Sequence, residues 1–171
     1  KLKLYKIGAE GKQTIVRLAM PGDLLGHRSL FSGQPYTATA EVIEDARICF
    51  VSRSVIMEVL RRDPAVALRL VEYLSHVLGQ AENRLRDFAQ KNVRERVAGL
   101  LLLLRNGNSK PGSPLQLSLN REEMAEMLGT TPESVIRMLS EFKDDGLISL
   151  RGRSVNILDQ EKLIATANLD S

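Results

Sequence analysis

Apolar positions recur at every second residue near the start of the chain and at every third or fourth residue further on. This change of period divides the sequence. Over residues 1–51, Leu2 and Leu4 alternate with polar neighbours, and Ile15, Val16 and Leu18 form a second apolar run. Gly8, Gly11, Pro21-Gly22, Gly26, Gly33 and Pro35 punctuate these runs. Period-two runs broken by Gly and Pro predict short antiparallel strands. Residues 38–43 and 47–51 read as a further strand pair joined by the turn-prone Glu44-Asp45. The spacing of turn signals suits a small antiparallel β-roll or sandwich.

From Ser54 the period becomes helical. A short helix through Val55, Val59 and Leu60 stops at Asp63-Pro64, where Asp63 can cap a new helix whose first turn accepts proline. That second helix runs to about residue 90. Its Ala67, Leu70, Leu74, Val77, Ala81, Arg84 and Phe88 follow alternating spacings of three and four, a heptad stripe. Such a stripe packs a helix on its own domain or pairs it with a twin. The length and narrowness here favour a twin, with Leu70, Leu74, Val77, Ala81, Arg84 and Phe88 as the expected dimer interface. Arg84, the polar member, would stay hydrated or pair with Asp87 of the partner subunit.

A leucine-rich helix over 92–105, a loop over 106–114 and a short strand over 115–119 follow. Asn120 and Glu123 have the spacing of a capping box, opening a helix that buries Met124, Met127 and Leu128. Gly129 ends it, and Thr131-Pro132 begins another with Val135, Met138, Leu139 and Phe142 on one stripe. Ala125, Gly129 and Val135 hold the small, turning and β-branched positions that a helix-turn-helix needs. After Gly146, residues 147–150 and 155–158 form a hairpin around Arg151-Gly152-Arg153-Ser154. The predicted fold class is therefore α+β: a partial β-roll, a long dimerisation helix and a C-terminal winged helix-turn-helix. The expected units are 1–62, 63–91 and 92–171.

On the second helix of that motif, residues 131–143, Glu133 and Arg137 lie one turn apart on the face opposite the apolar stripe. In the major groove an arginine can bond guanine O6 and N7, and a carboxylate can accept from the cytosine amine. The pair can thus read both halves of one G·C pair, although the same spacing also suits a surface ion pair. Ile136 flanks this face and suits a thymine methyl. Thr130, Thr131 and Ser134, near the helix N-terminus, can bond phosphate oxygens. Arg151 and Arg153 at the wing tip suit the phosphate backbone, or form a solvated turn.

A formal net charge of +3 decides little. The charges over 84–110 are more telling, because Arg84, Arg86, Lys91, Arg94, Arg96, Arg105 and Lys110 outnumber Asp87 and Glu95. Such a cluster is an expected phosphate footprint. Cys49 is the only cysteine, which excludes an intrachain disulfide and points to a reducing, cytoplasmic setting. No apolar run approaches the roughly 18 residues of a membrane span, and no signal peptide is visible. The opening in mid-strand suggests a missing N-terminal portion. His27 and His76 fall in different units, and no nucleophile–base pair or metal spacing appears, so an enzyme is not expected.

These residues together make the chain similar to the CRP/FNR superfamily of bacterial transcription regulators over essentially its whole length. The resemblance is carried by Gly11-Lys12, Pro21-Gly22-Asp23-Leu24-Leu25-Gly26, Thr37-Ala38-Thr39-Ala40, Asp63-Pro64 and the hinge motif over 91–96. The motif over 128–137 and the wing complete it. It implies a homodimer on double-stranded DNA, two recognition helices one DNA turn apart, a near-palindromic operator and contact with RNA polymerase. Glu133 and Arg137 fall where the superfamily reads a TGA-type half-site. Pro132 stands where the cyclic-AMP branch carries an additional Arg, so the resemblance implies an FNR-like site such as TTGAT. Ile136 replaces the Ser of that pattern, which leaves the outer bases open.

The resemblance places the effector pocket at His27, Tyr36 and Thr37. Cyclic-nucleotide relatives have Glu in place of His27 and an Arg-Ser pair in place of Tyr36-Thr37, so this chain lacks the chief partners of a cyclic nucleotide. Cys49 matches an internal iron–sulfur ligand of the oxygen-sensing branch, but a cubane cluster needs four thiolates. A small buried strand residue is the plainer reading of Cys49. His27 has no second haem or metal ligand at useful spacing. The sequence therefore names no cofactor. A rival reading is a ligand-binding β-roll whose helical tail makes protein contacts.

Overall fold

The structure is a computed structural model of the chain and describes residues 1–106, 115–152 and 154–168. Strands β1 (Leu2–Ile7) and β2 (Gln13–Ala19) form a hairpin in which Leu2 faces Ala19 and Ile7 faces Gln13, with a register shift between Leu4 and Tyr5. The other edge of β1 takes β3 (Thr39–Val42), Leu2 opposite Val42, so the sheet order is β2-β1-β3. This corrects the expected pairing of 38–43 with 47–51. Residues 47–51 form no strand, and β3 pairs instead with a strand nearly forty residues earlier. Between β2 and β3 a short helix α1 (His27–Ser32) is bracketed by Gly26 and Gly33, an element the punctuating glycines concealed.

Helix α2 (Arg53–Arg62) is capped by Ser52, and α3 (Pro64–Gln90) by Asp63, whose Oδ1 accepts from the Ala65 N–H at 2.9 Å. Proline in the first turn of α3 loses no helical hydrogen bond, because that N–H would have none. At 27 residues α3 is about 40 Å long. No residue on it is fully buried. Its polar face is tied to the sheet: Arg17 Nη2 donates to the Tyr73 hydroxyl at 3.0 Å, and the Leu24 N–H donates to the same oxygen at 3.0 Å. Arg17 also pairs with Asp23 at 3.0 Å. Arg84 donates to the Val16 carbonyl at 2.8 Å.

Helix α4 (Val93–Asn106) carries the leucine-rich segment into the main core. The expected loop over 106–114 lies, beyond residue 106, outside the described residues. Strand β4 (Leu115–Gln116) is shorter than the expected 115–119 and joins β6 (Ser154–Ile157), which also pairs with β5 (Ile148–Arg151). Helices α5 (Arg121–Leu128), α6 (Pro132–Asp144) and α7 (Gln160–Thr166) complete the C-terminal half. The core contains Val97, Leu101, Leu104, Met124, Val135, Leu139, Phe142, Ile148, Val155 and Leu163, together with Ile15 and Leu18 from β2. The two halves therefore share one apolar interior.

Candidate nucleic-acid interface

Local hydrogen bonds fix both helices of the motif. Asn120 Oδ1 accepts from the Glu123 N–H at 2.8 Å, and Glu123 Oε2 accepts from the Asn120 N–H at 2.8 Å, the reciprocal pair of a capping box. Gly129 ends α5 at φ 60°, a left-handed conformation in which a side chain is strained. The site is also filled: a Cβ on Gly129 would lie 2.8 Å from the Phe88 ring. Thr131 then caps α6, its Oγ1 accepting from the Ser134 N–H at 3.3 Å.

The underside of α6 is closed. Val135, Met138, Leu139 and Phe142 are all buried. Arg94 on α4 reaches across to Glu141 at 3.0 Å and to Asp145, with its guanidinium 4.7 Å from the centre of the Phe142 ring. These contacts leave α6 one way to face. Glu133, Ile136 and Arg137 are exposed on its outer side, Ile136 at 50%. The Arg137 side chain makes no hydrogen bond or ion pair among the described residues. The Glu133 carboxyl is held below its ordinary value by its own backbone N–H and by the Thr131 hydroxyl. Thr131 is exposed, and Thr130 and Ser134 are half-buried beside it.

Gly146, at φ 70°, turns the chain out of α6 into β5. In the β5–β6 hairpin Leu150 faces Val155 and Arg151 faces Ser154, which leaves Arg151 exposed next to the Gly152 turn. Arg153, the other expected wing cation, lies outside the described residues.

Several cations of the basic stretch over 84–110 contact their own chain. Arg84 bonds the β2 backbone, Lys91 and Arg86 both pair with Asp87, Arg94 anchors α6, and Arg96 stacks 5.2 Å from the Phe88 ring centre. Of these, Arg94 ties α4 to α6 and Arg96 ties α4 to α3. Lys110 lies outside the described residues.

On α3 the apolar side chains left most exposed are Leu68, Val71, Leu78 and Leu85, at 58–72%. Leu70, Leu74, Val77 and Arg84 are half-buried, and Ala81 and Phe88 are exposed. Arg84 and Phe88 both contact their own chain, at Val16 and Gly129.

In the expected effector region, His27 Nδ1 lies 3.1 Å from the Leu24 carbonyl, with its ring edge-on to Tyr73. Tyr36 lies over Gly26, where a Cβ would come within 2.9 Å of its ring. Thr37 accepts a bond from Arg28 at 3.4 Å, a guanidinium the sequence reading did not single out. Cys49 is exposed and not on a strand, which corrects its reading as a buried strand residue. Among the described residues no three His, Cys, Asp or Glu side chains converge on a metal position. No described helix is long and apolar enough to cross a membrane.

Comparison with known proteins agrees with this geometry. Residues 95–166 match the Crp-like helix-turn-helix domain, and residues 1–63 match the cyclic nucleotide-binding domain. The chain is 29% identical over 170 residues to the CRP-like cAMP-activated global transcriptional regulator of Mycobacterium tuberculosis, covering 98% of this chain and 76% of that protein. It is 32% identical to the transcriptional activator protein FnrL of Cereibacter sphaeroides, over 95% of this chain and 67% of that protein. The solved structure of FixK2 from Bradyrhizobium japonicum superposes with a TM-score of 0.89 at 27% identity, covering 99% of this chain and 84% of that one. The chain belongs to the CRP/FNR family and is a helix-turn-helix DNA-binding transcription regulator, not an enzyme.

Proposed function

We propose that this regulator works as a homodimer joined along α3 and reads a near-palindromic operator with α6, one TGA-containing half-site per protomer. The observation that carries the reading is the outer face of α6. Glu133 and Arg137 stand exposed above a closed apolar underside, and neither charge is spent on the other. A free guanidinium can take guanine O6 and N7, and a carboxylate can accept from the paired cytosine. Thr130, Thr131 and Ser134 at the helix start, and Arg151 with Arg153 on the wing, would hold phosphates and set the register. RNA polymerase is the expected protein partner of the DNA-bound dimer.

The proposed dimer seam takes the more exposed of the two heptad stripes of α3. Ala67, Val71, Leu74, Leu78, Ala81, Leu85 and Phe88 are spaced alternately by four and three and are all apolar. This stripe keeps Ala67, Leu74, Ala81 and Phe88 of the first reading. It replaces Leu70, Val77 and Arg84 with Val71, Leu78 and Leu85, the more exposed set.

Control would come from a signal at the β-roll. A cyclic nucleotide does not fit the residues present. His27 offers no carboxylate to a ribose, and the Tyr36 ring covers Gly26. Among the described residues no group of three or more His, Cys, Asp or Glu side chains forms around Cys49 or His27, so no cofactor is assigned.

The test is a titration of the full chain against a TTGAT palindrome and a scrambled duplex at several salt concentrations. Preference for the palindrome by roughly 10³-fold, with affinity falling steeply as salt rises, is the expected result. Equal binding to both duplexes would remove the base-reading role from α6.

A further inference from the structure

Helix α5 is gripped at three points by the N-terminal half of the chain. At its start, Glu123 divides one carboxylate between two tasks: Oε2 caps the helix at Asn120, and Oε1 takes Lys3 Nζ from β1 at 2.6 Å. The Lys3 side chain is only 7% exposed, and its ammonium also reaches Glu41 on β3 at 3.2 Å. Along its length α5 lies against β2, whose Ile15 and Leu18 enter the same core as Met124 and Leu128. At its end the Phe88 ring of α3 covers Gly129, with Arg96 stacked on the ring.

An apolar contact alone tolerates sliding. A partly buried ion pair resists it, because displacing either partner leaves a poorly solvated charge without compensation. Lys3 is thus joined both to its own sheet and to the cap of α5, and Phe88 fixes the opposite end of that helix against α3. Because α6 packs directly on α5, an orientation imposed on α5 is inherited by α6.

We infer that Lys3 and Phe88 are positioning residues for operator reading. They lock the helix-turn-helix to the sheet and to α3, and so set the separation and angle of the two recognition helices. Neither residue needs to touch DNA. The inference rests on the dimeric operator reading proposed above.

Half-site spacing is the property such a clamp controls. The full chain is titrated against duplexes carrying the same two half-sites, one turn apart or moved by two base pairs either way, and against a duplex with one half-site. The shift rotates one half-site by about 70° about the DNA axis. The unaltered chain should prefer one spacing by about tenfold or more. Lys3→Met keeps the aliphatic stem and removes the charge; it should cut the preference below about threefold while leaving single half-site affinity within about twofold. Lys3→Arg should restore the preference. Phe88→Leu, at the other end of α5, should act like Lys3→Met at a concentration where sedimentation shows the variant still dimeric, since Phe88 also lies on the proposed seam.

If Lys3→Met keeps the full spacing preference, or weakens every duplex alike in step with a lower melting temperature, Lys3 is only a stabilising residue and the inference fails. If the unaltered chain shows half-site preference but no spacing preference, the dimeric operator reading fails and the inference falls with it.

Discussion

Glu133 and Arg137 stand one helical turn apart on α6 and form no ion pair within 4.0 Å among the described residues. An i, i+4 pair of this kind would hold each other's charge at a gain of only a few tenths of a kcal/mol. The carboxyl is held below its ordinary value by its own backbone N–H and by Thr131 rather than by Arg137, and the Arg137 side chain is exposed. Arg137→Ala should cost about 1–3 kcal/mol on the preferred duplex and relax discrimination at one base pair. Competition binding with single-base variants measures this. Equal loss on every duplex would make Arg137 a phosphate contact.

The protonation of Glu133 gives a second check. Its carboxyl is held below the ordinary 4.5 first by the backbone N–H and then by the Thr131 hydroxyl. A depressed value means that the carboxylate persists as pH falls through 4.5 and is lost only at the lower folded value. An NMR titration should place the Glu133 midpoint below 4.5, and Thr131→Val should raise it. A midpoint unmoved by that substitution would break the assignment.

Two glycines separate conformational strain from crowding. Gly129 and Gly146 are both left-handed, at φ 60° and 70°, but only Gly129 has a neighbour where a Cβ would go. Gly146→Ala should cost about 1–2 kcal/mol from backbone strain alone. Gly129→Ala should cost more, because the Phe88 ring must also move. Urea unfolding of the two variants compares them directly. Equal costs would mean that the ring yields freely and does not hold the turn.

The seam on α3 makes a fourth prediction. Burying a leucine is worth about 1.5–3 kcal/mol, and each seam residue counts twice in a dimer. Leu78→Asp or Leu85→Asp should therefore raise the dimer dissociation constant roughly 100-fold or more. Arg84→Ala, which removes a bond to the chain's own β2, should leave it nearly unchanged. Sedimentation equilibrium distinguishes the outcomes, and a dimer insensitive to both aspartates would place the interface elsewhere.

What was legible in the sequence was what short-range chemistry decides. Asn120 with Glu123, Asp63 with Pro64, and Gly129 before Thr131-Pro132 mark helix ends through bonds spanning three residues or fewer. The apolar stripe of α6 is equally local. What depended on distant partners was not visible in the sequence. Lys3 alternates with Leu2 and Leu4 as a solvated residue would, yet its partner Glu123 lies 120 positions away. The strand expected over 47–51 had a plausible local turn but lost β3 to the edge of β1. On α3 two heptad stripes share Ala67, Leu74, Ala81 and Phe88. They differ in exposure, which the sequence does not show. The clustering of cations over 84–96 is visible in the sequence, but not the acids and rings that several of them contact.

The central claim, that α6 reads bases for a symmetric dimer, is tested most directly by selecting bound sequences from a pool of random duplexes. The account predicts enrichment of an inverted repeat with TGA in each half and half-site centres about 10 base pairs apart, and Arg137→Ala should lose the G·C pair of that core. Recovery of no symmetric motif, or of the same motif from Arg137→Ala, would contradict it.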